Sequence, residues 1–227
     1  MRSLSSRLLT LVFLSLPATL VAEPQWQFNS ESDGVKVYRK DIPGSPFVGF
    51  KGVKVVPANI YKVGEILLDE DPVVKKRWID RMTDFRMIER KSPTLGITYS
   101  AYDLPWPLED RDYVIESELV IDNANNQIVL KLKSVEHPKS PKTVGVRAVI
   151  MHSMYKLVPL PNGQTEVSVE ILTDPKGDLP PWLVNLIQRG WPANTLVRLE
   201  AEAIKPGTKE SPMLKRDFKG RQLAARE

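Results

Sequence analysis

The feature that most constrains the fold is a single long helix near the C-terminus, predicted over residues 179–204. Asp178 is a suitable N-cap residue, and Pro180 and Pro181 suit a first helical turn. The Pro206–Gly207 pair is a stop signal. One face is apolar at helical spacing, so the helix must pack against another part of the chain. This predicted face consists of Leu183, Leu186, Ile187, Gly190, Val197 and Ile204.

Pro192 stands in the middle of this predicted helix. A proline there removes one backbone hydrogen bond and crowds the preceding turn, so the sequence predicts a kink beside Gly190 and Trp191. Two interpretations stay open. The helix is a core element packed on a sheet, which the pattern alone favours, or it closes a cavity and uses Pro192 as a hinge.

Residues 1–22 are predicted to be a secretory signal peptide. Arg2 and Arg7 form a positive n-region, and an apolar run over residues 8–16 follows. Small residues for cleavage stand at Ala18 and Ala22. The apolar run is too short to span a bilayer comfortably. We therefore expect cleavage near Ala22 and export of the protein to the periplasm or out of the cell.

Composition limits the remaining chain. There is no cysteine, so lipoprotein anchoring and disulfides are excluded, and the exported protein must rely on its core. Residues 23–204 are enough for one such domain. Residues 205–227 hold seven basic and three acidic residues and predict a basic, flexible C-terminal tail that is disordered or weakly helical. We expect this tail to be solvated, although its charge also suits an anionic membrane surface. No basic stripe carries interleaved aromatic residues, so we expect no nucleic-acid binding.

Most of the domain reads as consecutive strands separated by short turns, which form an antiparallel sheet. A helical insert is predicted after the second strand, as an amphipathic helix over residues 57–68 and a short helical turn over residues 72–76. The class is therefore α+β. The predicted strands span residues 35–40, 47–55, 85–91, 96–103, 112–121, 127–135, 144–158 and 165–173.

Alternation along three of these strands places hydroxyl groups on otherwise apolar faces. An unsatisfied buried hydroxyl costs roughly 1–3 kcal/mol, so a solid core would avoid several of them. A cavity that holds a mostly apolar ligand accommodates them better. The predicted cavity residues are Thr98, Ser100, Tyr102, Tyr113, Ile115, Ser117, Leu119, Leu130 and Leu132 from the sheet, with Leu183, Leu186, Ile187, Gly190 and Val197 from the helix.

Residues 104–114, Leu-Pro-Trp-Pro-Leu-Glu-Asp-Arg-Asp-Tyr-Val, resemble the START domain, the lipid-transfer module named after the steroidogenic acute regulatory protein. The run Pro-Trp-Pro-Leu followed by Arg-Asp-Tyr-Val is typical of its bacterial members. The resemblance covers residues 26–204. Further matching pieces occur in the same order at residues 78–80, 146–148, 157–160, 165–166 and 174–180.

The resemblance implies the helix-grip fold, a curved antiparallel sheet wrapped around a long C-terminal helix with an internal hydrophobic cavity between them. It implies binding of one hydrophobic molecule, such as a sterol, a phospholipid or a polyketide-like compound, without catalysis and without a cofactor. We expect a monomer that contacts a membrane surface transiently. Arg111 and Asp112 are expected in a surface turn with a strand-capping role rather than in contact with the ligand. Some sterol-binding relatives carry an acid and an arginine inside the tunnel, where this sequence has Ser100 and Ser117.

Two other functions stay open. One is a helix-grip enzyme, such as an aromatase, cyclase or hydrolase, which requires acid–base groups in the cavity. The candidates are His137, predicted in a surface turn, and His152, predicted in a long strand with a structural role. Two distant histidines without cysteines make no usual zinc site, so no metal is expected. The other is a partner-binding module with a vestigial cavity.

Overall fold

The computed structural model describes residues 25–220. The predicted signal peptide, residues 1–22, lies outside the described residues. Within residues 25–220 the chain forms ten strands and four α-helices. The strands are β1 (Gln27–Ser32), β2 (Val35–Asp41), β3 (Val48–Val56), β4 (Met82–Ser92), β5 (Leu95–Tyr102), β6 (Arg111–Asp122), β7 (Gln127–Ser134), β8 (Val146–Arg147), β9 (Val149–Pro159) and β10 (Thr165–Asp174). The helices are α1 (Ile60–Leu68), α2 (Pro72–Trp78), α3 (Pro181–Ala203) and α4 (Pro212–Asp217).

All ten strands belong to one curved sheet. Nine of them lie in the order β1-β2-β3-β10-β9-β7-β6-β5-β4, and every pair along this path is antiparallel. The connection from β3 to β4 carries α1 and α2, and β10 returns to pair with β3. All strands of the sheet therefore precede α3 in the chain.

The predicted strand over residues 144–158 is divided in the structure. The short β8 pairs in parallel with β6, and β9 pairs with β7 and β10. The break follows from a hydrogen bond that the backbone N–H of Ala148 donates to the Asp112 carbonyl at 2.9 Å. Strand β1 was not predicted from the sequence, because its short polar run shows little apolar alternation.

Each of the two helices in the insert between β3 and β4 begins with a side-chain cap. The Asn59 side chain accepts hydrogen bonds from the backbone N–H groups of Tyr61 and Lys62 at the start of α1. At α2 the Asp71 side chain accepts one from Val73. Trp78, the last residue of α2, is fully buried and packs edge-on against Tyr155 of β9. The two helices thus border one end of the concave sheet face.

The long helix α3 lies across the concave face, but its orientation differs from the predicted one. Its N-cap position is Pro180 rather than Asp178, and it lacks a side-chain cap. The Asn185 side chain accepts a hydrogen bond from the backbone N–H of Val48 at 3.1 Å, which ties α3 to β3. The buried residues of α3 are Val184, Gln188, Pro192, Thr195, Leu196, Leu199, Glu202 and Ala203.

Two clusters of apolar residues stabilise the fold. The larger one lies between the concave sheet face, α1, α2 and the second half of α3, with Leu196 and Leu199 at its centre. The smaller one contains Ile97, Tyr99, Ala101 and Val114 and lies on the opposite face of β5 and β6. Strands β5 and β6 are therefore buried on both faces.

Part of the predicted flexible tail forms a short helix that packs against the domain. Leu214 of α4 and Phe218 are fully buried, and the backbone N–H of Ser211 donates to the Tyr61 carbonyl of α1 at 3.0 Å. Leu214 occupies the space beside Gly64, where a side chain would clash with it. Residues 205–220 therefore fold back onto α1, and residues 221–227 lie outside the described residues. This packing was not predicted, because the segment has only a few apolar residues among many charged ones.

Between residues 25 and 220, none of the helices has both the length and the apolar character needed to cross a bilayer.

Candidate functional site

An elongated cavity separates the first half of α3 from the curved sheet. Its volume is about 210 Å³, many times the space that one water molecule needs. Most of the lining is apolar. One end lies near Leu67, Arg90 and Pro93, and the other lies near Leu104 and Leu179. The sequence alone left two alternatives open, a solid core and a cavity. The structure contains a cavity.

All nine sheet residues predicted for the cavity do line it. They share one side of three adjacent strands, and the observed registers place Ser100 beside Tyr113 and Ser117 beside Leu132. Whether they contact a ligand remains a prediction. They are Thr98, Ser100 and Tyr102 from β5, Tyr113, Ile115, Ser117 and Leu119 from β6, and Leu130 and Leu132 from β7.

The helix residues predicted for the cavity are placed differently. Of the five, only Ile187 lines the cavity, and Leu183, Leu186, Gly190 and Val197 do not. Leu186 is 58% exposed. The prediction assumed that the most apolar face of the helix points inward, whereas apolar and polar residues are distributed around α3. The α3 residues that line the cavity are Val184, Ile187, Gln188 and Trp191.

Several lining residues were missed because they come from elements that the sequence analysis did not assign to the cavity. Phe85 and Met87 belong to β4, Trp78 to α2, and Tyr155 to β9. The alternation of Phe85 and Met87 along their strand was a usable signal. For Trp78 and Tyr155 no such signal exists, because their contact joins residues far apart in the chain.

Arg111 is a buried side chain at one end of the cavity, not part of a surface turn as expected. It is 4% exposed. Its guanidinium donates to the backbone carbonyls of Pro175 at 2.8 Å, Lys176 at 3.2 Å and Glu109 at 2.5 Å. These bonds join the loop before β6 to the loop before α3 and satisfy most of the guanidinium N–H groups.

Asp112, also expected at the surface, is fully buried on the other side of β6. Its carboxylate accepts a hydrogen bond from the Tyr99 hydroxyl at 3.0 Å and forms an ion pair with Arg147. It also accepts a bond from the backbone N–H of Val144 at 3.0 Å. These contacts hold the segment around β8 against the sheet. The role of Asp112 is therefore structural.

Lys75 is a buried cation in the cavity wall. Its ammonium donates to the Leu67 carbonyl at 2.7 Å and lies 5.3 Å from the Trp78 ring centroid and 5.5 Å from that of Phe85. Burial lowers the pKa of Lys75 to about 8, and the nearby Asp69 carboxylate opposes that change. Ser100 and Ser117, which also line the cavity, carry no charge. Arg90 and Glu70 line it too and form an ion pair, but both side chains are half exposed to solvent.

Tyrosines are among the residues that line the cavity. Tyr102 and Tyr113 pack edge to face with ring centroids 5.6 Å apart. Burial raises the pKa of Tyr102 to about 12 and the pKa of Tyr113 well above its usual range. Both hydroxyls stay protonated at neutral pH, so the interior offers uncharged hydrogen-bonding groups.

Two exposed tryptophans lie on the segments beside the end of the cavity near Leu104 and Leu179. Trp106, in the loop before β6, is 93% exposed, and Trp182, in the first turn of α3, is 67% exposed. The bonds of Arg111 to both loops hold these two segments side by side.

Neither histidine lines the cavity. His137 lies 2.9 Å from a carboxylate oxygen of Glu89, and His152 lies 3.4 Å from one of Glu170. In the described part of the chain, no group of three or more His, Cys, Asp or Glu side chains is arranged to hold a metal ion.

Sequence comparison agrees with this architecture. The START domain sequence model matches residues 12–196, which is most of the chain. The chain belongs to the START domain family. The match begins within the predicted signal peptide and ends within α3.

The curated relatives of this START domain protein include proteins named for lipid transfer. An uncharacterized protein of Pseudomonas aeruginosa is 29% identical over 181 residues, covering 79% of this chain and 87% of that protein. The phosphatidylcholine transfer protein of Mus musculus is 25% identical, with 76% and 79% covered. The ceramide transfer protein of Xenopus laevis is 27% identical over 64% of this chain, but this match spans only 25% of that protein.

Solved structures show that this START domain has the predicted helix-grip fold. The lipid transfer and protein localization domain of human StarD13 superposes with a TM-score of 0.70 and 23% identity, covering 80% of this chain and 90% of that one. A STAR-related lipid transfer protein of Xanthomonas axonopodis superposes with a TM-score of 0.69 and 23% identity, covering 79% and 99%. The predicted α+β class and curved antiparallel sheet are confirmed.

Proposed function

We propose that this START domain protein binds one hydrophobic molecule, such as a sterol, a phospholipid or a similar lipid, and carries it between membranes. The observation that carries this proposal is the mostly apolar cavity between α3 and the sheet. Relatives named for phosphatidylcholine and ceramide transfer support it. Burying an acyl chain is worth roughly 0.8 kcal/mol per methylene relative to water, so a bound lipid leaves only where a membrane replaces the cavity.

We propose that the cavity opens at the end near Leu104 and Leu179, and that this mouth contacts a membrane transiently. Tryptophan side chains favour the interface between headgroups and acyl chains. There the apolar ring contacts the acyl chains while the N–H group contacts headgroups and water. Trp106 and Trp182 are exposed on the two segments that border the mouth. We propose that they enter the interface while the lipid exchanges, and that the protein acts as a monomer.

Ligand binding without catalysis fits the polar groups of the cavity better than an enzyme does. General acid–base catalysis needs a group that exchanges protons near the working pH. His137 and His152 lie outside the cavity, and the buried tyrosines stay protonated because burial raises their pKa values. Lys75 lines the cavity and burial lowers its pKa to about 8, but its ammonium is held by the Leu67 carbonyl and lies over the rings of Trp78 and Phe85. We therefore propose that the protein is not an enzyme and uses no cofactor.

Native mass spectrometry of the purified protein tests the binding proposal. We expect a copurified lipid, identified after extraction, at one molecule per chain. Transfer between donor and acceptor vesicles tests the carrier role. Empty protein that takes up no lipid from vesicles would contradict both.

The mouth is tested with the double variant Trp106→Ser and Trp182→Ser. We expect transfer to slow several-fold while the amount of bound lipid stays unchanged. Phe28→Ser is the matched control, since Phe28 is an exposed aromatic residue on β1 that does not border the cavity. Equal transfer rates for all three proteins would contradict the proposed membrane contact.

Export is proposed from the sequence of residues 1–22 and has its own test. N-terminal sequencing of the protein from its native cell should show a start near residue 23. An intact Met1 in a cytoplasmic fraction would contradict it.

A further inference from the structure

Strand β4 brings an arginine to the cavity through an irregularity in its pairing with β5. Phe85 and Met87 pair with two cavity-lining residues of β5 and line the cavity themselves. The pairing register then shifts between Met87 and Glu89. Such a bulge adds one residue to a strand, so the residues beyond it exchange faces relative to regular alternation.

Beyond the bulge, Arg90 rather than Glu89 faces the cavity. Arg90 pairs with Gly96 on the cavity-lining side of β5. Glu89 pairs with Ile97, which belongs to the apolar cluster on the opposite face of the sheet, and its carboxylate meets His137. Regular alternation from the first part of β4 would instead have turned the carboxylate inward. The bulge therefore exchanges an inward anion for an inward cation.

The guanidinium of Arg90 lies over Gly96. A Cβ atom at position 96 would come within 3.2 Å of Arg90 Nη1 and 3.4 Å of Met87 Sδ. A Cβ on this side of β5 points toward the cavity, as it does at Thr98 two residues along the strand. The charged group of Arg90 therefore lies at the cavity wall, in the space that a glycine leaves open.

Arg90 forms an ion pair with Glu70 of the connection between α1 and α2. The two side chains are 41% and 46% exposed. An ion pair this accessible to solvent adds little stability, because water solvates the separated charges nearly as well. The Glu70 carboxylate can therefore turn toward solvent at little cost and leave the guanidinium of Arg90 to another anion.

A second cation borders the same end of the cavity. Lys75 is buried in the wall, and the nearby Asp69 carboxylate accepts a hydrogen bond from the backbone N–H of Asp71 at 2.8 Å. Asp69 and Glu70 together balance the charges of Lys75 and Arg90. When Glu70 turns outward, two cations face one carboxylate, so an incoming anion is attracted to this end.

The Arg90 end of the cavity also has room for a polar head group. A second pocket adjoins the cavity there and shares four lining residues with it, Leu68, Glu70, Arg90 and Pro93. Its remaining lining residues are Ser92, Ser211 and Met213. Arg90 thus lies at the boundary between a mostly apolar cavity and a pocket with polar groups. An amphipathic ligand needs such a boundary where its chain meets its head group.

We propose that Arg90 binds the carboxylate or phosphate of an anionic lipid whose chain lies in the cavity, and that Glu70 occupies the guanidinium while the cavity is empty. This inference rests on the proposed function and specifies its substrate class. The parallel N–H groups of a guanidinium match two oxygens of either anion. Hydrogen bonds between charged groups are the stronger ones, so we expect an anionic lipid to bind about tenfold more tightly than its neutral ester.

Competition between lipids with the same chain tests the inference on the unmodified protein. Delipidated protein is incubated at neutral pH, where a carboxylic acid is ionised. It receives equimolar oleate and methyl oleate, or 1-oleoyl lysophosphatidate and methyl oleate, and is analysed by native mass spectrometry. We expect at least one anion to occupy about ten times more protein than the ester, and the stronger of the two anions distinguishes carboxylate from phosphate.

Two negative results have different meanings. Occupancy by the ester that equals or exceeds that of both anions overturns the inference while the proposed function stands. Binding of none of these lipids, nor of any lipid from vesicles, overturns the proposed function together with the inference.

Two variants of the ion pair assign the preference to Arg90. Arg90→Gln removes the cation, so the preference for the anion should fall to within about twofold while methyl oleate still binds. Glu70→Gln removes the competing carboxylate, so the anion should bind several-fold more tightly than to the wild type. If the pair only stabilises the fold, both variants change anion binding in the same direction. Anion binding that Glu70→Gln weakens or leaves unchanged overturns the inference, even where Arg90→Gln fails to fold.

Arg86→Gln is the matched control. Arg86 lies on the same strand and its replacement removes the same charge, but its guanidinium lies over the Tyr99 ring on the opposite face and pairs with Asp84. This variant should keep the tenfold preference. If Arg86→Gln removes the preference as well, anion binding reflects the overall charge of the protein, and the assignment to Arg90 is overturned.

Discussion

Pro192 of α3 packs directly on Gly52 of β3. A Cβ atom at position 52 would lie 2.8 Å from the Pro192 Cβ and 3.1 Å from the Leu196 Cδ1. The absence of a side chain at Gly52 is therefore what allows the helix to approach the sheet so closely. The proline fixes the position of α3 at the boundary between the cavity and the solid core.

Gly52→Ala should destabilise the protein by about 1–3 kcal/mol, because the added methyl group forces helix and sheet apart. A denaturant titration measures the change. Gly190→Ala is the control on the same helix. A Cβ at Gly190 meets no atom within 4 Å, so alanine should stabilise the helix by about 0.5–1 kcal/mol. A Gly52→Ala protein as stable as wild type would contradict the close approach.

The two halves of α3 should differ in hydrogen exchange. Before Pro192 the helix covers the cavity, with Val184 and Gln188 as its buried residues, whereas Leu196, Leu199 and Ala203 pack in the core beyond it. Locally weak segments open first, so amides in residues 183–191 should exchange faster than those in residues 195–203. Uniform exchange along α3 would contradict a mobile first half.

Pro192→Ala tests the hinge hypothesis. Alanine restores the backbone N–H that proline lacks, and a mid-helix proline costs about 3 kcal/mol relative to alanine. The Pro192 atoms that approach Gly52 are the Cβ and the carbonyl carbon, which alanine keeps. If the proline serves as a hinge, the variant melts at a higher temperature and transfers lipid between vesicles more slowly. Lower stability with unchanged transfer would show instead that Pro192 only fits the helix to the sheet.

Ser117→Trp should block lipid uptake without unfolding the protein. Ser117 lines the cavity, where an indole ring fills free volume instead of overpacking a core. Occupancy by native mass spectrometry and a melting curve give the two readouts. Glu118→Trp adds the same ring one residue along the strand at an exposed side chain, and it should leave uptake unchanged. A collapsed melting temperature for Ser117→Trp alone would favour a solid core at this position.

Lys75→Met should stabilise the protein at neutral pH. A pKa lowered from 10.5 to about 8 corresponds to a cost of roughly 3 kcal/mol for keeping this lysine charged in the folded state. Lost contacts with Leu67 and the aromatic rings reduce the net gain to about 1–2 kcal/mol. Unfolding titrations measure it, and Lys76→Met on the exposed neighbour should have little effect.

The same lysine predicts a pH dependence. Between pH 8 and pH 10.5 the unfolded chain keeps the Lys75 proton that the folded protein has lost, so the wild type gains stability as pH rises through this window. Below pH 8 both states are protonated and the cost is constant. The advantage of Lys75→Met should therefore shrink between pH 8 and pH 10.5, and a constant advantage would contradict the lowered pKa.

Leu214→Ala should cost about 2–4 kcal/mol, because it removes a fully buried side chain between α4 and α1. Ile204→Ala is the control at an exposed leucine-sized residue and should change stability by less than about 0.5 kcal/mol. Thermal unfolding compares the two variants. Equal melting temperatures would show that residues 205–220 do not contribute to the fold in solution.

The sequence by itself determined the class, the order of the elements and the sheet side of the cavity. Side chains alternate strictly along a strand, so Thr98, Ser100 and Tyr102 had to share a face wherever the strand lay. The motif in residues 104–114 added the family, and with it the helix-grip arrangement. These features depend on neighbours in the chain, which a sequence displays directly.

The tertiary structure decided the rest. The rotation of α3 about its axis is set by the close contact of Pro192 with Gly52 and by the bond between Asn185 and Val48, and neither is visible in the helical pattern. The burial of Arg111 depends on carbonyls from a loop 64 residues away. Which polar groups are satisfied is a property of the packed molecule, because a donor and its acceptor meet only after the chain has folded.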